Sequence, residues 1–198
     1  PRKNFDQEKL EELAESIRQH GVIQPLTVRK LSSGYYQIIA GERRWRAARM
    51  AGLEDIPAVV IEADDRTAME LAMIENLQRE DLNPIEEAEG FRSLIENYGM
   101  TQEQAASSVG KSRSAVANAM RLLDLEENLQ VLVEDGELSA GHARAILPLS
   151  PVMRAEAAKT ILSPGLSVRQ TAQLVKRLQA QKDEPDAQQP PAAVDYVA

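Results

Sequence analysis

The chain has 198 residues and a mass of 21.9 kDa, enough for one ordinary domain or two small ones. Its 43% apolar content is that of a globular chain, but only 4% is aromatic, so the cores are expected to be aliphatic and the structure rich in helix. No run approaches the ~18 consecutive apolar residues of a membrane span, and no secretory leader is visible. The start at Pro1 suggests a trimmed chain. With no cysteine, disulfides, thiolate zinc sites and cysteine nucleophiles are excluded, which fits a reducing cytoplasm.

The net charge of −8 argues against indiscriminate nucleic-acid binding. Residues 1–100 carry 13 basic and 19 acidic groups, residues 101–182 carry 10 and 8, and the last sixteen carry Asp183, Glu184, Asp186 and Asp195. Only the middle stretch is net positive, so a DNA surface is expected there.

In chain order, Asp6 is placed to cap a helix whose Leu10, Leu13 and Ile17 recur at helical spacing until Gly21 ends it. Pro25–Arg29 and Tyr35–Ala40 read as strands around a Ser32–Gly34 turn, and Gly41 opens a helix over Glu42–Ala51. Ile56–Glu62 is a third, β-branched strand. Beyond it every strong period is helical, first over Asp65–Gln78. Asn83-Pro84 with Glu86 and Glu87 then restarts a helix, by a capping side chain, a first-turn proline and acids at the positive dipole end. Shorter helices follow over 102–109, 112–123, 126–135, 140–147, 151–162 and 167–181. Asp183–Ala198, with Pro185, Pro190 and Pro191, reads as a linker. The expected fold class is α+β: a small α/β domain over 1–82, then an all-helical domain over 83–182, joined by the helix beginning at Pro84.

Three segments carry chemistry. Gly41-Glu42-Arg43-Arg44-Trp45-Arg46-Ala47 lies where a strand passes into a helix. Unpaired N–H groups and a positive dipole end suit phosphate there, and guanidinium groups from Arg43 and Arg44 add forked contacts. The same residues also suit a plain amphipathic helix with solvated arginines. Glu42 beside paired arginines is poor for simple anion capture but fits a site that handles a metal or water.

Glu75-Asn76-Leu77-Gln78-Arg79 offers a carboxylate and an amide oxygen, hard ligands for Mg²⁺, with Arg79 one turn away. Alone it reads equally as a polar helix end. With the first segment it serves a nucleotide without a P-loop, since no GxxxxGK[ST] is present. The third segment, Met100–Leu123, has Thr101 and Gln104 at capping-box positions, Gly110 at a turn and Ser112 starting a second helix. This is a helix-turn-helix pattern, with Lys111, Ser112, Arg113, Ser114, Asn118 and Arg121 as candidates for DNA contact; a packing hairpin is the alternative. His142, in Ser139-Ala140-Gly141-His142, suits either a phosphate contact or a cap. His20 and His142 join no Ser/His/Asp set, which argues against nucleophilic hydrolysis.

Gly21-Val22-Ile23-Gln24-Pro25-Leu26-Thr27-Val28-Arg29, GERRWRA, ENLQREDLNPIEEA, GKSRSAVAN and LSAGHARAI resemble, in order, the motifs of the ParB partitioning proteins and the related nucleoid-occlusion proteins, over about residues 1–178. The resemblance implies a ParB/sulfiredoxin-like N-terminal fold and a CTP-dependent DNA clamp, cytoplasmic and nucleoid-associated, without membrane attachment. It implies that Ser16, Gly21, Gln24, Pro25 and Arg29 belong to the cytidine-holding segment and that Gly41, Arg43, Arg44 and Arg79 meet the triphosphate. By the same likeness Glu42 takes part in slow CTP hydrolysis and Glu75 and Asn76 hold Mg²⁺. Pro1-Arg2 matches the end of a further N-terminal element. Arg113, Ala119, Asp124 and Gly141 fall where family members discriminate parS, an inverted-repeat centromere-like site. Self-association through the N-terminal domain is expected, as are a ParA-contacting arm before this chain and a dimerisation domain after it. The alternatives are nucleoid occlusion, plain transcriptional regulation, and a nuclease of the same superfamily.

Overall fold

A computed structural model describes residues 7–79, 81–163 and 165–183. Along the chain run α1 (Gln7–His20), β1 (Leu26–Lys30), β2 (Tyr36–Ala40), α2 (Glu42–Met50), β3 (Ala58–Ile61), α3 (Asp65–Leu77), α4 (Pro84–Glu96), α5 (Gln102–Ser108) and α6 (Arg113–Met120). A 3-10 turn (Arg121–Asp124), α7 (Glu127–Glu134), α8 (Ala140–Ile146), α9 (Pro151–Leu162) and α10 (Val168–Asp183) complete it. The α+β expectation holds. The Asp6 cap, Arg2, Glu80 and residues 184–198 of the expected linker lie outside the described residues. Asp183, read as the linker's first residue, ends α10 instead.

The chain divides into two compact units. Of the described residues, those up to Asp81 with 93–110 form one, and 82–92 with those from Lys111 onward form the other, so α4 contributes to both.

In the first unit the strand order is β2-β1-β3, with β1 antiparallel to β2 and parallel to β3. Gly34, at φ +85°, closes the β1–β2 hairpin, where Leu31 N–H donates to the Tyr35 carbonyl at 2.8 Å. A register shift between Thr27 and Val28 breaks the ladder near the point where β2 passes into Gly41. Small residues let α1 and α2 approach closely: Leu10, Ala14 and Ile17 bury against Ala47 and Ala48, with Leu13, Val22 and Ile56 packed around them.

Asp64 caps α3, its carboxylate accepting the Thr67 N–H at 2.7 Å. From the two ends of α3, Arg66 donates to the Tyr98 carbonyl at 2.7 Å and Gln78 donates to the Ser108 carbonyl at 3.0 Å. These bonds fasten α3 to residues 93–110 and give a local reason why α5 belongs to the first unit.

The second unit is helical. Leu122, Leu129, Leu138 and Ile146 are almost wholly buried in one aliphatic core that also holds Ile85, Leu149 and Ile161. Each such side chain contributes roughly 1.5–3 kcal/mol by leaving water. Ser139 caps α8, accepting the His142 N–H, and Pro151 opens α9. A Cβ at Gly141 would stand 2.9 Å from Cγ2 of Val168 at the start of α10, so a side chain there would force Val168 to shift. The expected helix over 112–123 ends at Met120, and its last turn tightens to 3-10 geometry through Leu122 and Leu125. Among the described residues no helix is long and apolar enough to cross a membrane.

Candidate nucleotide and nucleic-acid sites

Gly41 sits at φ +101°, ψ +23°, a left-handed conformation that costs other L-residues energy. A Cβ there would also lie 2.7 Å from Leu26 Cδ2 and 3.2 Å from Arg44 Nη2. The absence of a side chain therefore lets β1, the β2–α2 junction and Arg44 converge. No side chain caps α2, so its first-turn N–H groups keep the donor capacity that suits an anion.

This junction opens into a cleft of about 1230 Å³ that brings two of the sequence segments together. Gly41, Glu42, Arg43 and Arg44 line it from one side of the sequence; Glu75, Asn76 and Arg79 of α3 and its C-terminal edge line it from the other. Arg44 Nη1 donates to the Gln24 and Pro25 carbonyls at 2.8 and 2.7 Å, which aims the guanidinium. Arg79 donates through Nη1 to Asn76 Oδ1 at 2.9 Å and through Nε and Nη2 to the Asp81 carboxylate at 3.0 Å each. Glu42 accepts from Arg46 Nε at 3.1 Å and Nη2 at 2.6 Å, one turn along the same helix. Arg49 stacks its guanidinium over Trp45, 5.2 Å from the ring centroid.

Of the residues expected to hold a base, none lines this cleft directly. Gln24 and Pro25 reach it only through their carbonyls on Arg44. Ser16 is exposed on α1 one turn beyond Glu12 and Leu13, which do line the cleft, and Gly21 ends α1 at φ +72°. Arg29 also lies outside the cleft lining. It is buried, and its guanidinium binds Gln37 Oε1 at 2.7 Å, the Ala63 carbonyl at 3.3 Å and the Asp65 carboxylate at 2.5 Å. Those bonds tie β1 to β2 and to the start of α3.

The sequence motifs do not single out Lys9, Glu12 and Leu13 of α1, Tyr36 and Ile38 of β2, or Ala72 and Asp81, all of which line the cleft. Their signal is weak, since a Lys and a Glu three apart on an amphipathic helix read as a solvated face. Asp64 stands apart from the cleft. Its carboxyl is held below the ordinary carboxylate value chiefly by the Thr67 backbone N–H, then by the Thr67 hydroxyl, with Arg29 and Arg66 adding attraction.

The helix-turn-helix segment forms with the expected punctuation. Thr101 Oγ1 accepts the Gln104 N–H at 3.2 Å, and Gln104 Oε1 accepts the Thr101 N–H at 2.8 Å, a complete capping box. Gly110 turns the chain at φ +69°, and Ser112 caps α6 by accepting the Ala115 N–H at 3.2 Å. On α6, Val116 and Ala119 face inward while Arg113, Ser114 and Asn118 are exposed, as is Arg121 beyond them. Lys111, also exposed, pairs with Glu87.

Ala119 is 8% exposed, so any influence on DNA choice passes through packing. Gly141 is half-buried beside Val168. Asp124 is exposed, and its backbone carbonyl accepts from Arg154 at 3.1 Å. His142 Nδ1 lies 2.9 Å from Ser139 Oγ, while its buried Nε2 has no hydrogen-bond partner among the described residues.

Comparison with known proteins gives this geometry a lineage. The family model for the ParB N-terminal domain matches residues 1–77, and that for the ParB HTH domain matches residues 80–180. The chain is 56% identical over 178 residues to the chromosome-partitioning protein Spo0J of Thermus thermophilus, covering 90% of this chain and 65% of that protein. It is 54% identical over 179 residues to the chromosome-partitioning protein ParB of Myxococcus xanthus, covering 89% of this chain and 60% of that one. It thus spans less than two thirds of the length of these relatives. Among solved structures, the C-terminally truncated chromosome-partitioning protein ParB of Caulobacter crescentus, complexed to the centromeric parS site, superposes with a TM-score of 0.80 at 47% identity, over 89% of this chain and 91% of that one. The paired domains, in this order and over nearly all of the described residues, make the chain a member of the ParB partitioning family.

Proposed function

We propose that this chain is the nucleotide- and DNA-binding part of a chromosome- or plasmid-partition protein. It recognises an inverted-repeat parS site and uses CTP to change between a site-bound open state and a sliding closed clamp. The observation that carries the reading is the single cleft shared by Gly41–Arg44 and by Glu75, Asn76 and Arg79. A triphosphate needs several cations and backbone N–H groups converging on a small volume, and this cleft supplies them beside an exposed carboxylate. The parS preference is supported by the Caulobacter relative, which holds that site in its complex.

The donor set fits Mg²⁺. Glu75 offers a carboxylate, and among the described residues Asn76 Oδ1 accepts one hydrogen bond, from Arg79, which leaves a lone pair. Among the described residues no three acidic or His side chains cluster as an all-protein cation site, in keeping with an ion that completes its shell with water and phosphate oxygens. When bound, the ion neutralises phosphate charge. Arg44 and Arg79 orient the phosphates, and Glu42, beside them, orients water for slow hydrolysis. CTP shifts the population only as far as it binds the closed arrangement more tightly than the open one. Pairing of N-terminal domains from two chains closes the clamp, and a ParA-type ATPase engages the longer protein through a segment preceding this chain.

Calorimetry with each of the four nucleoside triphosphates and Mg²⁺, with and without a parS duplex, tests the reading. Heat is expected for CTP alone, lost in Arg44→Ala while parS binding persists. A wild-type chain that binds no CTP even beside the duplex overturns the switch.

A further inference from the structure

Arg154, on α9, has no part in the sites above, yet among the described residues its guanidinium gathers three acceptors in the second unit. Its guanidinium donates through Nη1 to the Asp124 carbonyl and to Glu126 Oε1, each at 3.1 Å, and through Nη2 to the Leu147 carbonyl at 2.7 Å. The side chain is 16% exposed. Asp124 ends the 3-10 turn that prolongs α6, Leu147 is the C-cap after α8, and Glu126 precedes α7. One planar fork therefore binds the C-terminal ends of the two elements that carry the candidate DNA-reading residues: Arg113 to Asp124 on one, Gly141 and His142 on the other. Both carbonyls are orphans of their helical ends, and no other donor to either is seen among the described residues.

We propose that Arg154 is a positioning residue for DNA discrimination, fixing the recognition helix and α8 at the spacing that reads the cognate site. It touches no base and adds no phosphate contact. Its effect therefore falls on the choice between sequences and not on charge-driven affinity for any duplex. A lysine cannot replace it, because a single ammonium on a flexible stem does not span acceptors on two sides. The inference rests on the DNA-reading role proposed for α6 and α8.

The experiment measures affinity for a parS duplex, for the same duplex with one base pair changed in each half-site, and for a scrambled duplex, at one salt concentration. Arg154→Met and Arg154→Lys are compared with wild type and with Ile161→Val, a conservative truncation in the same core. Both Arg154 variants are expected to lose about tenfold of the parS-over-changed-site ratio, the order of one base contact, with scrambled-duplex affinity unchanged. Ile161→Val should keep the ratio. If Arg154→Met does not fold, Arg154→Lys and Glu126→Gln carry the comparison. An unchanged ratio in the folded variants overturns the proposal, as does an equal loss in Ile161→Val, which would reduce the role to stability. A wild-type chain with no preference for parS instead removes the DNA-reading premise, and the positioning role with it.

Discussion

Replacing Gly41 with alanine imposes two separable penalties. The first is conformational: φ +101° lies in the region that L-residues avoid, at a cost of roughly 1–2 kcal/mol. The second is steric: the new methyl would sit 2.7 Å from Leu26 Cδ2, and Leu26 is itself buried in β1. Overpacking of this kind costs typically about 1–3 kcal/mol. Gly52 provides the control within the same unit, since it has φ +80° but nothing within 4 Å of the point where a methyl group would stand. Gly52→Ala therefore carries the backbone cost alone, and the difference between the two variants isolates the clash. Trp45, the single Trp of the chain, lies four residues from Gly41 on α2, so its fluorescence during urea unfolding reports on this unit. Gly41→Ala is expected to be about 2–5 kcal/mol less stable than wild type and at least about 1 kcal/mol less stable than Gly52→Ala. Equal losses in the two variants would show that Leu26 yields freely and that no close approach constrains the junction.

Glu42→Ala should keep CTP affinity and lose hydrolysis, followed as phosphate release; an unchanged rate would remove Glu42 from the chemistry. Because its pair with Arg46 is partly exposed, the same variant should lose only about 0.3–0.5 kcal/mol of stability. Arg113→Ala should weaken parS selectivity by about 1–3 kcal/mol if it contacts a base edge, whereas a uniform loss on all duplexes with a shallower salt slope would assign it to phosphate. The depressed carboxyl of Asp64 stabilises the fold wherever it is ionised. Its contribution is present above the unfolded-state value and is lost as pH falls from there through the lower folded-state value. The stability gap between wild type and Asp64→Asn should therefore be steady near neutral pH and close across that acidic window; a gap independent of pH would contradict the cap.

Punctuation residues made most of the fold legible. Thr101 with Gln104, Ser112, Ser139 and Pro151 mark helix starts by local bonds that need no tertiary context, and the structure places helices there. The spacing of Leu10 and Ile17 located a buried face for the same reason. The end of α6 was harder, because a helix and a 3-10 turn share nearly the same apolar spacing over four residues. The cleft was legible where a motif is local, at Gly41–Arg44 and at Glu75–Arg79. It was illegible where lining depends on packing, as with Lys9 and Tyr36, which approach only because α1 and β2 are folded beside the junction. Arg29 shows another limit: only tertiary structure reveals that Asp65, 36 residues away, pairs with its guanidinium.

Three polar side chains of the cleft already hold internal partners. Arg44 rests on two carbonyls, Arg79 on a carboxylate and an amide, and Glu42 on Arg46. An arriving anion must substitute for the internal partners it displaces, so what is gained is a difference between old and new bonds. A ligand with one phosphate replaces few of them and gains little, whereas a chain of three can re-satisfy several at once. Under the proposed nucleotide-binding role, this prior engagement would favour a triphosphate over a monophosphate before any contact with a base.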